Sequence, residues 1–313
     1  MRSTLDTRVQ RAAEAGYGST TGGAVVMDPA GGNLLAVVSS ATIDPNDYVG
    51  AEDFEPFNYA LAGLYPPGSS FKIVTASAAL DSHKLTPKST FGAPLDYRGV
   101  TNFESESFAS ISFSGALAAS VNTVFAQIAE KVGPRLMYQY ATGFGFNQAP
   151  DSELRAATSS YPRPVDDGEL LWSAVGQARD LATPMEMATV AATIANQGVR
   201  MEPRVAFAQQ PSAKRVVGRK VARQMNHMMQ GVVTGGTGVA AQIPDTQVAG
   251  KTGTAEVSVD GTIMNHAWFI CFAPADKPRV AVAVVSDLGG IGGEVAAPLA
   301  RSILEGVLPL TRR

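Results

Sequence analysis

Ser69-Ser70-Phe71-Lys72 directly follows Pro66-Pro67-Gly68 in this chain. The prolines end any earlier helix, the glycine permits a tight turn, and the apolar run that follows predicts a buried helix beginning at Ser69. Because residues three apart are neighbours on a helix surface, the Ser69 hydroxyl and the Lys72 amine are expected to share one pocket. The pattern predicts a serine nucleophile with a lysine base. The alternative is an ordinary helix with a serine cap and an outward lysine.

A second string, Ser120-Val121-Asn122, lies between the small-residue run Gly115 to Ala119 and a helical pattern that Gly133-Pro134 closes. This arrangement predicts a hydroxyl and an amide at a junction between two helices. The alternative is that Ser120 or Asn122 simply caps the second helix, a role that such residues commonly fill.

A third string, Lys251-Thr252-Gly253-Thr254, lies in the Val- and Thr-rich segment Gln247 to Val259. That segment turns at Asp260-Gly261 and leads to the apolar run Trp268 to Phe272, a strong signal for a β-hairpin. A glycine inside a strand usually marks a close approach of another backbone or a ligand, and Gly253 is predicted to mark one here.

The third string has two other interpretations. Lys251 and Thr252 could lie on a solvated strand face. Gly250-Lys251-Thr252 could also end a phosphate-binding loop, but that motif needs a glycine where Asp245 stands, which excludes it.

In this order, the S-x-x-K, S-x-N and K-T-G-T strings resemble the penicillin-binding proteins and serine β-lactamases. The likeness covers about Thr20 to Leu308. Four further segments resemble the transpeptidase domain of class B penicillin-binding proteins, and they are Tyr65 to Lys72, Val175 to Gln177 with Ala182 to Ala188, Ile194 to Gly198, and His266 to Phe269.

Departures from related families narrow the resemblance. Val121 stands where class A β-lactamases carry aspartate, which favours a penicillin-binding protein. Asn122 stands where class D β-lactamases usually carry a hydrophobic residue, which argues against them. The Ala, Gly and Arg content fits a GC-rich genome and points to actinobacterial members.

The predicted fold class is α/β (α+β), with an antiparallel five-stranded sheet flanked by helices plus an all-helical subdomain. Alternating segments predict strands over 20–29, 33–40, 247–257, 267–273 and 279–286, and helices are predicted near 8–14 and over 294–307. Residues 1–18 are expected to be a linker helix that follows an N-terminal anchor and a non-catalytic domain. Residues 19–313 are expected to be the transpeptidase domain, with a sheet lobe of about 19–60 and 246–313 and a helical lobe of about 61–245.

The resemblance also implies catalytic roles. Ser69 attacks the carbonyl of a D-alanyl-D-alanine peptide bond, with unprotonated Lys72 as its base. Burial and the second cation, Lys251, are expected to lower the pKa of Lys72. Ser120 is expected to relay the proton to the leaving nitrogen.

The remaining roles concern substrate binding. Asn122 is expected to bond the substrate backbone, and Lys251, Thr252 and Thr254 are expected to meet its terminal carboxylate. The oxyanion hole is expected to consist of the backbone N–H groups of Ser69 and Thr254, the residue after Gly253.

Composition limits the classes of function. With a net charge of −3 and no basic run in 313 residues, nucleic acid is not an expected partner. The single cysteine, Cys271, excludes an internal disulfide. The histidines show no metal-ligand spacing and there is no G-x-S-x-G motif, so no metal or other cofactor is predicted.

The resemblance implies a peptidoglycan D,D-transpeptidase that is acylated and inhibited by β-lactams. A D,D-carboxypeptidase, a serine β-lactamase, a β-lactam sensor domain and a catalytically silent cell-wall component remain as alternatives. Expected partners are peptidoglycan stem peptides, β-lactam antibiotics bound covalently at Ser69, and cell-wall synthesis or division proteins. The expected location is the extracytoplasmic face of the cell membrane.

Overall fold

The computed structural model describes residues 2–40, 57–150 and 155–311. Within these ranges the α-helices are α1 (Thr7–Tyr17), α2 (Lys72–Asp81), α3 (Phe113–Ala118), α4 (Asn122–Val132), α5 (Pro134–Phe144), α6 (Asp167–Ser173), α7 (Pro184–Ala195), α8 (Arg219–Gly235) and α9 (Ala297–Val307). The strands are β1 (Gly22–Met27), β2 (Leu34–Ser39), β3 (Thr90–Ala93), β4 (Asp96–Tyr97), β5 (Val100–Thr101), β6 (Phe108–Ser112), β7 (Val199–Met201), β8 (Ala213–Arg215), β9 (Ala249–Val259), β10 (Thr262–Ala273) and β11 (Val280–Ser286).

Strands from both ends of the chain form one antiparallel sheet in the order β2-β1-β11-β10-β9. The predicted five-stranded antiparallel sheet is therefore confirmed. Successive side chains of a strand point to opposite faces, and along β1 Ala24 and Val26 join one apolar cluster while Val25 and Met27 join another. Both faces are apolar, so the sheet needs helices on each side.

Helices cover both faces of the sheet. On one face α1 packs against α9, and the Tyr17 hydroxyl donates to the carbonyl oxygen of Val285 on β11 at 2.7 Å. The other face is covered by α7, which is buried over its whole length. The result is a layered domain in which β9, at one edge of the sheet, packs against the helical part of the chain.

The helix predicted to begin at Ser69 starts differently. Gly68–Phe71 form a 3₁₀ turn, and α2 begins only at Lys72. The reason is the tight entry after two prolines: Gly68 has a φ of 52°, and the Ser70 backbone N–H reaches back to the Pro67 carbonyl oxygen at 3.3 Å. Lys72 therefore lies in the first turn of a buried helix.

The segment predicted to be all helical also contains short antiparallel strand pairs, β3 with β6, β4 with β5, and β7 with β8. The β4–β5 hairpin turns through Arg98 and Gly99, whose φ angles of 53° and 89° suit a two-residue turn. These strands have only two to five residues, and segments this short leave too little of an alternating pattern to be predicted.

All strands of the five-stranded sheet lie within 19–60 and 246–313, and α2 to α8 lie within 61–245. The division into two lobes and the boundary after residue 18 stay predictions. Within the described residues, no helix combines the length and the apolar character that crossing a membrane requires.

Candidate active site

Ser69 lies in the 3₁₀ turn, which fits tightly against β9. A Cβ atom on Gly253 would lie 2.8 Å from the Pro67 carbonyl oxygen, and one on Gly68 would lie 2.7 Å from the Thr254 carbonyl oxygen. The close backbone approach predicted at Gly253 is therefore confirmed. The Ser69 side chain is half-buried, and among the described residues its hydroxyl has no hydrogen-bond partner.

Lys72 is fully buried, so the alternative of an outward lysine is wrong. Its Nζ donates to the Ser120 carbonyl oxygen and to Asn122 Oδ1, both at 2.6 Å, and lies 3.3 Å from Ser120 Oγ. The two short contacts go to oxygens that only accept, so a neutral amine satisfies them with its two N–H groups and keeps its lone pair. Burial first, and then the nearby Lys251, hold the pKa of Lys72 well below its usual range.

Ser120 connects the two lysines. It lies between α3 and α4 with a φ of 62°, in the left-handed region that non-glycine residues rarely adopt. Its carbonyl oxygen accepts from Lys72, while its hydroxyl oxygen accepts from Lys251 Nζ at 2.8 Å. The capping alternative is wrong, because Val121 is the cap residue of α4 and neither the Ser120 nor the Asn122 side chain bonds a backbone N–H at that end of the helix.

Lys251 is also fully buried, so the alternative of a solvated strand face is wrong. Besides Ser120 Oγ, its Nζ contacts the carbonyl oxygen of Thr252 at 3.1 Å. Burial lowers the pKa of Lys251 to about 7. Within the described residues, neither lysine has a carboxylate among its hydrogen-bond partners, so two buried amines share one hydroxyl without a compensating anion.

Threonine hydroxyls extend the site along β9. Thr237 Oγ1 and Thr252 Oγ1 lie 2.6 Å apart, and Thr252 Oγ1 is 3.3 Å from Lys251 Nζ. Thr254 Oγ1 accepts the backbone N–H of Gly292 at 3.2 Å, which leaves its own proton for another acceptor. In the sequence Thr237 lies between Gly236 and Gly238, a pattern that predicts only a loop. The one signal was a hydroxyl set among glycines, and nothing in the sequence places that loop beside β9.

The Asn122 amide is held at both ends. Its Oδ1 accepts from Lys72, and its Nδ2 donates to the Thr101 carbonyl oxygen in β5 at 2.8 Å. An amide nitrogen carries two N–H groups, so a second N–H remains for a ligand. The side chain is half-buried, which suits donation to a carbonyl group in the cleft.

Aromatic residues from β10 pack behind the 3₁₀ turn Gly68–Phe71 that carries Ser69. Trp268 is fully buried, and its Nε1 donates to the Pro66 carbonyl oxygen at 2.9 Å. The Tyr65 ring meets His266 edge-on at 4.8 Å between ring centroids, and His266 Nδ1 lies 2.9 Å from Asp287 Oδ1. These contacts place the His266 to Phe269 segment directly against the Tyr65 to Lys72 segment.

Within the described residues, no group of three or more His, Cys, Asp or Glu side chains could hold a metal ion. Cys271 is buried, and burial raises the pKa of its thiol. The prediction that no cofactor is needed stays a prediction.

Comparison with known proteins places this geometry in a family. The family of the penicillin binding protein transpeptidase domain matches residues 22–305. The chain belongs to this family. It is 32% identical to the peptidoglycan D,D-transpeptidase PbpA of Mycobacterium tuberculosis, over 98% of this chain and 72% of that protein. The predicted likeness to class B penicillin-binding proteins is confirmed.

Solved structures of the family share the fold. Penicillin-binding protein A of M. tuberculosis, described as a ceftriaxone acyl-enzyme complex, superposes with a TM-score of 0.88 at 30% identity, over 98% of this chain and 79% of that chain. The D,D-transpeptidase domain of a peptidoglycan glycosyltransferase from Eggerthella lenta gives 0.91 at 33% identity, over 98% and 82%. The predicted fold class is confirmed.

Proposed function

We propose that this penicillin-binding protein transpeptidase domain cross-links peptidoglycan stem peptides through an acyl-enzyme on Ser69. The observation that carries the proposal is the pair of buried amines, Lys72 and Lys251, that meet at Ser120. A serine hydroxyl is a weak nucleophile unless a neighbour takes its proton. The PbpA relative of M. tuberculosis, named a peptidoglycan D,D-transpeptidase, supports the same reaction class.

Acylation requires the lone pair of the Lys72 amine, which accepts a proton. Ser69 Oγ attacks the carbonyl carbon between the two D-alanines while Lys72 takes the hydroxyl proton. The proton passes through Ser120 to the leaving nitrogen, so D-alanine departs as a neutral amine and Ser69 stays acylated. The backbone N–H groups of Ser69 and Thr254 stabilise the developing oxyanion, and a donor of this kind contributes on the order of 100- to 1,000-fold in rate.

Substrate binding uses the other polar groups. The terminal carboxylate is met by the hydroxyls of Thr252 and Thr254 and by the Lys251 amine. The second N–H of Asn122 donates to a backbone carbonyl of the stem peptide. Gly253 lets β9 lie close enough to the 3₁₀ turn that carries Ser69 for these groups to act on one ligand.

Deacylation distinguishes the possible reactions. In transpeptidation the amine of a second stem peptide attacks the ester carbonyl, gives up its proton through the same amine relay and releases Ser69. A β-lactam follows the same first step, but its opened ring remains attached and blocks the acceptor. The solved penicillin-binding protein A with ceftriaxone as an acyl-enzyme supports this outcome.

Location and partners complete the proposal. Peptidoglycan, the proposed substrate, lies outside the cytoplasmic membrane. We therefore propose that the domain lies at the extracytoplasmic face of that membrane, held by an N-terminal anchor. We also propose that the lobe of about 19–60 with 246–313 and the lobe of about 61–245 form the two walls of the substrate-binding cleft. Cell-wall synthesis or division proteins are proposed as its protein partners.

The proposal is tested by intact mass spectrometry after benzylpenicillin is added to the protein, to Ser69→Ala and to Ser70→Ala. Ser70 is a matched control, because its hydroxyl is buried and donates to the Pro67 carbonyl oxygen at 2.6 Å. We expect a lasting adduct on the wild type and on Ser70→Ala, and none on Ser69→Ala.

Other outcomes would favour the alternatives. Rapid loss of the adduct with consumption of the drug would indicate a serine β-lactamase, and no adduct on the wild type would contradict the proposal. A D-Ala-D-Ala peptide supplied with an acceptor amine then separates the peptidase activities. Release of D-alanine without a cross-linked product would indicate a D,D-carboxypeptidase.

A further inference from the structure

The Thr101 carbonyl oxygen orients the Asn122 amide, yet the hairpin that carries it is very short. Only two residue pairs, Asp96 with Thr101 and Tyr97 with Val100, join β4 to β5. An isolated hairpin of this size is not stable in water. Its turn is held through Tyr97, whose hydroxyl donates to Glu130 Oε2 at 2.6 Å, near the far end of α4. The Thr101 end needs a separate support.

Asn102 supplies that support. It is 9% exposed, and its Nδ2 donates to the carbonyl oxygens of Pro94 at 3.0 Å and Glu106 at 2.8 Å. Its Oδ1 accepts the backbone N–H of Thr123 at 2.9 Å, and its Nδ2 lies 3.1 Å from Thr123 Oγ1. The N–H of Thr123 needs an acceptor, which fixes the orientation of the Asn102 amide.

These contacts join the loop to the residue that follows Asn122. Thr123 lies in the first turn of α4, directly after Asn122. One buried side chain therefore ties both flanks of the 94–106 loop to the helix end that presents the Asn122 amide. No other described side chain bonds the Thr123 backbone N–H.

We propose that Asn102 is a positioning residue for substrate recognition by Asn122. It keeps the Thr101 carbonyl oxygen on one N–H of the Asn122 amide, so that the second N–H faces the substrate carbonyl. The inference rests on the proposed function, because it requires a ligand that accepts from Asn122. Loss of Asn102 releases the Thr101 carbonyl oxygen, so that the Asn122 amide keeps only its bond to Lys72 and can turn about it, while the lysines and Ser69 keep their places.

Two β-lactams separate positioning from a general loss of stability. Benzylpenicillin carries an acylamino carbonyl that can accept from Asn122. In 6-aminopenicillanic acid the same ring system carries a free amine at that position. A residue that acts through Asn122 changes the ratio of the two acylation rates, whereas a merely structural residue lowers both rates together.

The experiment measures the second-order acylation rate constant of both compounds for the wild type, Asn102→Ala, Asn102→Asp, Asn122→Ala and the Asn102→Ala/Asn122→Ala double variant. We expect Asn102→Ala to lower the rate with benzylpenicillin by about tenfold, the value of roughly one hydrogen bond, with little change for 6-aminopenicillanic acid. The double variant should match Asn122→Ala alone. Asn102→Asp keeps the acceptor for Thr123 but not the donors, so it should change the ratio in the same direction.

Asn226→Ala is the matched control. Asn226 Nδ2 donates to the Ala275 carbonyl oxygen at 2.7 Å from α8, away from Asn122, so its loss should leave the ratio unchanged. Parallel falls for both compounds in the Asn102 variants, or additive effects in the double variant, would overturn the inference. If Asn102→Ala does not fold, Asn102→Asp decides in its place. Failure of benzylpenicillin to acylate the wild type would overturn the proposed function itself, whereas wild-type acylation with an unchanged ratio in the variants would overturn only the role of Asn102.

Discussion

Two buried clusters of ionisable residues in the described part of the chain differ in how their charge is compensated. At the active site Lys72 and Lys251 meet at Ser120, and no carboxylate is among their hydrogen-bond partners there. Between α7 and β7, Arg200 lies with two carboxylates: it contacts Glu202 closely, and its guanidinium is 4.0 Å from Glu186. The first cluster lacks an anion, and the second holds one more than its arginine neutralises.

The difference shows what each cluster can do. Burial and like charge act in the same direction on Lys72, so its pKa falls and the amine becomes a proton acceptor. Burial raises the pKa of Glu186 to about 7, although Arg200 pulls it down. Glu186 Oε1 has no hydrogen-bond partner in the described residues, because Arg200 also bonds the Phe144 carbonyl oxygen and Glu202. The lowered pKa values suit the lysine pair to proton transfer, whereas the arginine cluster connects separate elements of the fold.

The largest expected effect comes from removing the amine that we propose as the acceptor of the Ser69 proton. Lys72→Met should lower the acylation rate with benzylpenicillin by roughly 100- to 10,000-fold, the usual contribution of a general base. The measurement is the rate of adduct formation, with circular dichroism to check the fold. Lys84→Met is the control, because Lys84 is exposed and its amine bonds the Lys131 carbonyl oxygen. A variant that acylates at the wild-type rate would exclude Lys72 as the base.

The next effect concerns how the two lysines influence each other. A base must be neutral to act, so acylation should rise with pH as Lys72 loses its proton. Lys251 is one of the two causes that lower the pKa of Lys72, so Lys251→Met should move the acidic limb of the pH profile to higher pH. The measurement is the acylation rate across pH for both proteins. A limb that stays in place would show that burial alone sets the pKa of Lys72.

The contrast between the clusters also separates what the sequence could predict from what it could not. Lys72 was predicted because the S-x-x-K spacing is local to one turn of the chain, and Lys251 because the K-T-G-T string resembles that of the penicillin-binding proteins and lies in a strand with a hairpin signal. Short alternating or continuous apolar runs likewise predicted the strands of the main sheet, although β1 and β11 are buried at every residue because both faces of the sheet are covered. These features depend on neighbours in the sequence.

The missed features depend on contacts between distant segments. The bond between Thr237 and Thr252, and the bonds of Asn102 to Thr123, exist only after a loop has folded against another element. The positive φ of Ser120 is also set by its tertiary contacts, because Lys72 and Lys251 hold its carbonyl and hydroxyl. Nothing local in the sequence predicted that Arg200 and Glu186 would be buried together, because burial of charge is decided by packing.

The smallest expected effect is on stability and tests the second cluster. The pKa of Glu186 rises from 4.5 to about 7 on folding, so between these pH values the folded state binds more protons than the unfolded state. The free energy of unfolding should therefore fall as pH rises through this window, by on the order of 3 kcal/mol from this group. Glu186→Gln cannot titrate and should flatten that slope, without changing acylation, since Glu186 makes no contact with the lysine pair.

Urea unfolding at pH 5 and pH 8 measures this slope. Glu305→Gln is the control, because it makes the same chemical change on the surface of α9, where Glu305 is exposed and pairs with Arg301 at 2.9 Å. If Glu186→Gln keeps the wild-type slope, Arg200 neutralises Glu186 fully, and the contrast with the lysine pair fails. If the slope flattens while acylation keeps its acidic limb, the two clusters titrate independently, because removing one proton-binding group leaves the other unchanged.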